Sequence, residues 1–318
     1  MRISFLLITN LLPSLNDALI SHSLNLPIRS ALLKLKPHNK VISTDITRII
    51  NHKISMNPDP NTGIDFDDPR ASRNYRLKSP RHFGIKLGRL VADRIEGFIA
   101  QRGLVEDLAI YENNAFPWTQ KVEQGWQDIR RELDEVMAFR DQIPSFHEIL
   151  KEAGAITNDN DWKTFFLIAP GMECDANQAK CPETTRLLQH IPGLHTAFFS
   201  ILSPRKHIPA HRGPFCGVLR YHLGLLVPEP RDQCRIRIGT QTRCWEEGKS
   251  LIFDDTYNHE VWNDTDGFRV VLFVDFVRPM KPPHDKWLNW LLKAAANTPL
   301  LKEAGDKQKK WEKKFYKK

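Results

Sequence analysis

HRGPFCGVLRYHLGL, residues 211–225, is the stretch on which the fold turns. Its second half reads as a β-strand with Leu219, Tyr221, Leu223 and Leu225 on one face and Arg220 and His222 on the other, because successive side chains of a strand point to opposite sides. The apolar set is an ordinary packing face. A solvated opposite face is normally built from blander residues such as Lys, Thr or Glu. An arginine and a histidine two positions apart, shortly after a polar anchor at His211, point instead to an interior cavity that holds something anionic or metallic.

Short strands with turn signals between them surround this one: AFFSILSP, CRIRIGT, SLIFDD, HEVWN and FRVVLFVDFV, all after Thr196. Strands of that length and spacing predict an antiparallel sandwich or jelly-roll barrel. Upstream, GIKLGRLVADRIEGFIAQ (84–101) and Trp126 to Ile143 carry apolar residues at helical spacing, WKTFFL (162–167) reads as a strand, and ETTRLLQHI begins a short helix at Glu183. A further amphipathic helix centres on Trp287, Trp290 and Leu291. The fold class is mainly β with flanking helices. It divides into an N-terminal extension (1–83), a helical region (84–160), the jelly-roll domain (161–280) and a C-terminal helix with a basic tail (281–318). Residues 1–55 differ in composition from the rest, and Met56 is a candidate start that would leave them outside the folded domain.

The chain of 318 residues is 41% hydrophobic and 26% charged, an ordinary balance for a globular protein. Of the net charge of +8, Lys302–Lys318 contributes +5. The excess therefore says little about the main domain, and with no recognition motif present no nucleic-acid partner is expected. Five cysteines without a CxxC pair fit a reducing compartment, with Cys174 and Cys181 the only two placed to pair or share a metal across a short loop. The opening apolar run is interrupted by Asn10 and Pro13, and no stretch reaches the ~18 apolar residues of a membrane span. The expected location is the cytoplasm, in solution or peripheral to the inner membrane.

Twelve histidines cannot all act. His190, His195 and His284 read as surface residues. His207 and His211 have the spacing of a helical metal pair, but Pro204 and Pro209 exclude a helix there. His211 and His259 each stand beside a turn at the start of a segment, and a jelly roll can bring two such positions to one mouth. Arg269 strengthens that reading. It shares a strand face with Val271 and Phe273 in an otherwise apolar segment, and a buried arginine must meet a carboxylate. Either Asp254 or Asp255 provides one, or a carboxylate ligand is gripped by the guanidinium. Two histidines for iron and a deep arginine for a dicarboxylate are the logic of a 2-oxoglutarate oxygenase.

HRGP, LRYHLGL, WEEGKSLIFDDTYNHEVWND and FRVVLFVDF, with NNAFPWTQKVEQGW, DWKTFFL and CPETTRLL upstream, resemble the aspartyl/asparaginyl β-hydroxylase family over residues 110–280. The upstream pieces resemble its bacterial branch, related to hydroxylases of lipid A acyl chains. The resemblance implies a double-stranded β-helix (jelly-roll, cupin-like) core and an Fe(II)/2-oxoglutarate-dependent dioxygenase that consumes O2. It implies that His211 and His259 bind iron, that Arg269, Ser200 and His222 hold 2-oxoglutarate, and that Arg220 contacts substrate with Trp162 nearby. Gly213 stands where the usual facial triad has an acid, an absence typical of this family, which leaves two protein ligands. Val218 stands where animal members carry a second substrate-binding arginine. The implied acceptor is a peptidyl Asp or Asn, or alternatively an acyl chain of lipid A or another membrane lipid. A barrel that binds a ligand without catalysis ranks below both. The tail KKWEKKFYKK (309–318) interleaves Lys with Trp311, Phe315 and Tyr316, which fits either a solvated disordered tail or an anchor on an anionic membrane.

Overall fold

The computed structural model describes residues 94–316. The N-terminal extension, the Met56 question and the first part of the 84–101 helix lie outside them; residues 94–102 are helical. The elements then run β1 (Ile110–Tyr111), α1 (Thr119–Gln124), α2 (Trp126–Met137), α3 (Phe146–Ile149), β2 (Trp162–Ile168), α4 (Asp175–Lys180) and α5 (Pro182–Leu188). Eight strands follow: β3 (Leu194–Leu202), β4 (Lys206–His211), β5 (Val218–Leu226), β6 (Cys234–Ile238), β7 (Gln241–Cys244), β8 (Ser250–Phe253), β9 (His259–Asn263) and β10 (Arg269–Val277). The described chain closes with α6 (His284–Ala296) and α7 (Pro299–Phe315).

The strands form two antiparallel sheets, β1-β8-β5-β10-β3-β2 and β4-β9-β6-β7. Strands β3 to β10 thus pass back and forth between the sheets, with only the β6–β7 hairpin staying in one, as in a double-stranded β-helix, so the jelly-roll expectation holds. The six-stranded sheet is covered on both faces. Outside, Leu219, Tyr221, Leu223 and Leu225 of β5 pack with Ile129, Leu133 and Val136, which recur at helical spacing along α2, and with Leu187 and Leu188 of α5. Inside, Phe198, Phe253, Phe273 and Trp162 face Ile208, Ile236 and Val261 of the smaller sheet. Burial on both sides explains why the polar pair on β5 is not a solvated face.

Strand β4 is absent from the sequence reading, and His211 ends it rather than opening a new segment. Pro204 and Pro209 argue against a strand, yet β4 is an edge strand, where a missing N–H costs no ladder bond. Its register against β9 slips between Ile208 and His211, across Pro209. The short strands β1 and β7 lack a strong alternating pattern and also escaped the sequence reading.

The C-terminal lysine-rich segment is a helix docked on the body. Trp311 donates its indole N–H to the Gln142 carbonyl at 2.7 Å and packs edge-on against Phe165. Phe315 stacks on Trp311 and meets Phe139, and the Tyr316 hydroxyl donates to Asn177 Oδ1 at 2.8 Å. Gly305 permits this docking, because a Cβ there would lie 2.3 Å from the Gly171 carbonyl oxygen. Through Phe315 it is therefore not a free tail, and Trp311 and Phe315 are held against the protein while Tyr316 stays partly exposed. Cys174 and Cys181 are free, buried thiols, with burial pushing both up to about 12.

Candidate active site

His211 and His259 are register partners across β4 and β9, with ring centroids 4.1 Å apart. The His211 Nδ1 lies 2.8 Å from the Pro209 carbonyl oxygen and the His259 Nδ1 lies 3.0 Å from that of Tyr257. A carbonyl only accepts, so each ring is protonated at Nδ1 and keeps the Nε2 lone pair for a metal. Burial holds both rings neutral: it lowers His211 to about 4 and takes His259 well below the usual histidine range. No cluster of three His, Cys, Asp or Glu side chains arranged to bind a metal occurs among the described residues.

Asp255 occupies the space that a side chain at position 213 would need. A Cβ on Gly213 would lie 1.9 Å from Asp255 Oδ2, so no side chain fits at 213 while this carboxylate stands there. Asp255 Oδ2 bridges to Arg220 Nη2 at 2.8 Å, and its Oδ1 is buried without a partner. Burial pushes the Asp255 carboxyl up, to about 7, against the opposing pull of Arg220. Arg220 also donates Nε to Asp275 at 3.0 Å, and its guanidinium lies 4.2 Å from the Phe273 ring centroid. An arginine expected to meet substrate is therefore already matched by two carboxylates. His195, read as a surface residue, is half-buried, and burial lowers its pKa while Asp275 opposes that shift.

Deeper in the barrel, Arg269 is 2% exposed and its Nε and Nη1 have no protein partner. Neither proposed carboxylate reaches it. Asp254 Oδ2 is held by Arg278 Nη2 at 2.5 Å, and Asp255 by Arg220. The Arg269 guanidinium lies 4.6 Å from the centroid of the Trp245 ring, and burial lowers its pKa to about 10. Trp245 donates its indole N–H to His222 Nδ1 at 3.3 Å. Since an indole only donates, His222 carries its proton on Nε2, which is buried and unpartnered. Burial, with Arg269 and Arg220, keeps His222 neutral. Trp162 donates its indole N–H to Ser200 Oγ at 3.0 Å, across the β2–β3 pair.

All seven side chains singled out in the sequence belong to the barrel strands, and the structure adds Asp255, Asp275 and Trp245 to the site. Those three had no distinguishing signal. Asp275 and Trp245 sit in apolar strand or turn contexts, and Asp255 is one of two adjacent aspartates whose partners only the fold separates.

The family model for aspartyl/asparaginyl β-hydroxylase matches residues 123–279. An ornithine lipid ester-linked acyl 2-hydroxylase from Rhizobium tropici is 50% identical over 65% of this chain and 74% of its own. The human aspartyl/asparaginyl β-hydroxylase is 34% identical over 54% of this chain, which spans only 24% of that larger protein. Among solved structures, a Pseudomonas putida prolyl-4-hydroxylase aligns with 58% of this chain and 97% of its own at 16% identity and a TM-score of 0.33, a likeness too low to weigh.

Proposed function

The chain belongs to the aspartyl/asparaginyl β-hydroxylase family, and from that premise we propose that it is an Fe(II)/2-oxoglutarate-dependent dioxygenase hydroxylating an acyl chain of a membrane lipid. One observation carries the cosubstrate. Arg269 is buried with two free donors, while both neighbouring aspartates belong to other arginines. An uncompensated buried guanidinium is costly, and a bidentate carboxylate relieves that cost.

The residues fit the implied groups. His211 and His259 present neutral imidazole nitrogens suited to Fe(II), and the missing third ligand leaves positions for a chelating oxo-acid and for oxygen. When bound, the metal supplies oxygen activation coupled to decarboxylation of 2-oxoglutarate, enough to oxidise an unactivated C–H bond. Arg269 would take the far carboxylate of 2-oxoglutarate in its fork. His222 would donate its Nε2–H to the same molecule. The Ser200 hydroxyl, accepting from Trp162, keeps its own proton free to donate. Phe198, Phe253 and Phe273 exclude water from this end of the barrel.

The acceptor follows from Arg220. With Asp255 at 2.8 Å and Asp275 at 3.0 Å, its charge is balanced, and Val218 adds no second cation. A peptidyl aspartate would bring a further carboxylate where Arg220 is already matched and Val218 offers no charge among the described residues, whereas an acyl chain brings none. The Rhizobium tropici relative, whose name gives an ester-linked acyl chain as its substrate, points the same way. No described helix is long and apolar enough to cross a membrane. The exposed lysines of α7 supply electrostatic attraction to an anionic surface.

Incubating the iron-loaded protein with 2-oxoglutarate, oxygen and either ornithine lipid or an Asp-containing peptide separates the acceptors. Mass spectrometry should find a gain of one oxygen on the lipid's acyl chain and an unmodified peptide. Oxygen gained by the peptide alone would overturn the acyl assignment.

A further inference from the structure

A cleft of about 490 Å³ lies outside the barrel, between α7 and the segment 141–149. Strand β2 separates the two sites: Trp162 packs in the barrel interior, whereas Lys163, the next residue, lines the cleft. The cleft has a mixed lining. Ile143 and Ile149 are apolar, Trp311 and Phe315 stack with centroids 4.8 Å apart, and the amines of Lys163, Lys307 and Lys314 complete it.

Lys163 is the unusual member, because it is 9% exposed and its ammonium donates to the Ile143 carbonyl at 2.7 Å. Among the described residues no carboxylate lies within ion-pair distance of it; burial lowers its pKa, and Glu148 and Asp141 oppose that shift only from farther away. An ammonium has three donors, and a desolvated cation without an anion is costly. The acids of the lining are engaged elsewhere: Asp141 with Arg140 at 2.5 Å, and Glu148 with the Ser145 N–H at 2.7 Å. Lys307 pairs with Glu303 at 3.1 Å, and Lys314 has no partner among the described residues. Lys163 and Lys314 therefore have no oxyanion in direct contact, and an apolar body would cover the rings beside them.

We propose that this cleft binds the phosphate-bearing headgroup of an anionic lipid, with the oxyanion at Lys163 and Lys314 and the apolar portion along Trp311 and Phe315. The tail's aromatic residues then form a wall for one lipid molecule instead of inserting into a bilayer. The site stands independently of the reaction assigned to the barrel.

Calorimetric titration of the full chain with dihexanoyl phosphatidic acid, and separately with inorganic phosphate, tests this. The lipid should bind, and the phosphate should bind at least ~10-fold more weakly for want of the apolar contact. Lys163→Met and the pair Lys307→Gln/Lys314→Gln should each weaken lipid binding by about 10-fold or more, the scale of a charge-assisted hydrogen bond. Lys310→Gln/Lys313→Gln removes the same charge from exposed positions of α7 outside the lining and should change it less than about 2-fold. Each variant is melted first, and the Lys307/Lys314 pair decides should Lys163→Met fail to fold. No lipid binding by the wild type, an equal loss in the Lys310/Lys313 pair, or phosphate binding as tightly as the lipid would each overturn the proposal.

Discussion

Arg269→Met is expected to abolish turnover while leaving the protein as stable as the wild type or more so. Arg269 is 2% exposed and two of its donors are unpartnered, so the free protein bears a desolvation cost that no internal pair offsets. Replacing such a group by an apolar side chain of similar volume is often neutral, or stabilising by about 1–4 kcal/mol. Methionine can also keep contact with the Trp245 ring beneath the guanidinium. The same change removes the fork that holds the distal carboxylate of 2-oxoglutarate. Losing a buried charge-assisted partner costs about 3–5 kcal/mol, or roughly 10²–10⁴-fold in affinity for 2-oxoglutarate. Urea melts beside equilibrium dialysis of 2-oxoglutarate read both effects. A marked fall in stability would mean that Arg269 is a structural residue with a partner of its own.

His259→Ala should remove iron binding altogether. Losing a residue that merely orients a metal ligand typically costs 10–100-fold in affinity. Here one of only two protein ligands is lost, so the deficit should exceed about 100-fold and turnover should fall to background. Because the ring is 3% exposed, the variant also leaves a small cavity and should melt a few degrees lower, roughly as for other buried truncations. His207→Ala is the matched control. His207 lies four residues before His211 but on the outward face of β4, where it stacks on Trp262 and meets Glu260 at 2.8 Å. Iron content measured after anaerobic loading should stay at the wild-type level in that control.

The barrel was legible in the sequence wherever alternation was clean. In β5 it separates Leu219, Tyr221, Leu223 and Leu225 from Arg220 and His222, and the fold places those sets on opposite sides of one sheet. Strand β4 was not legible, because Pro209 within it and Pro204 just before it mimic a loop, and only its position at a sheet edge makes Pro209 tolerable. Pair assignments were also beyond the sequence. Arg269 could have met Asp254 or Asp255, and its open donors became evident only when Arg278 and Arg220 were found to hold those acids. The lysine-rich end misled for a related reason. Its charges suggest a solvated segment, while Ala304, Gln308 and Trp311 form a helical stripe that docks on the body. Trp245 gave no signal at all, although it sets the His222 tautomer and lies under Arg269.

The most direct test of an iron and 2-oxoglutarate site in this barrel is anaerobic equilibrium dialysis of the wild-type chain against Fe(II), with and without 2-oxoglutarate. The two-histidine centre and the open Arg269 predict one iron per chain, and one 2-oxoglutarate per chain whose binding tightens when iron is present. A chain that takes up neither iron nor 2-oxoglutarate under these conditions would contradict the account and leave a barrel that serves some other ligand.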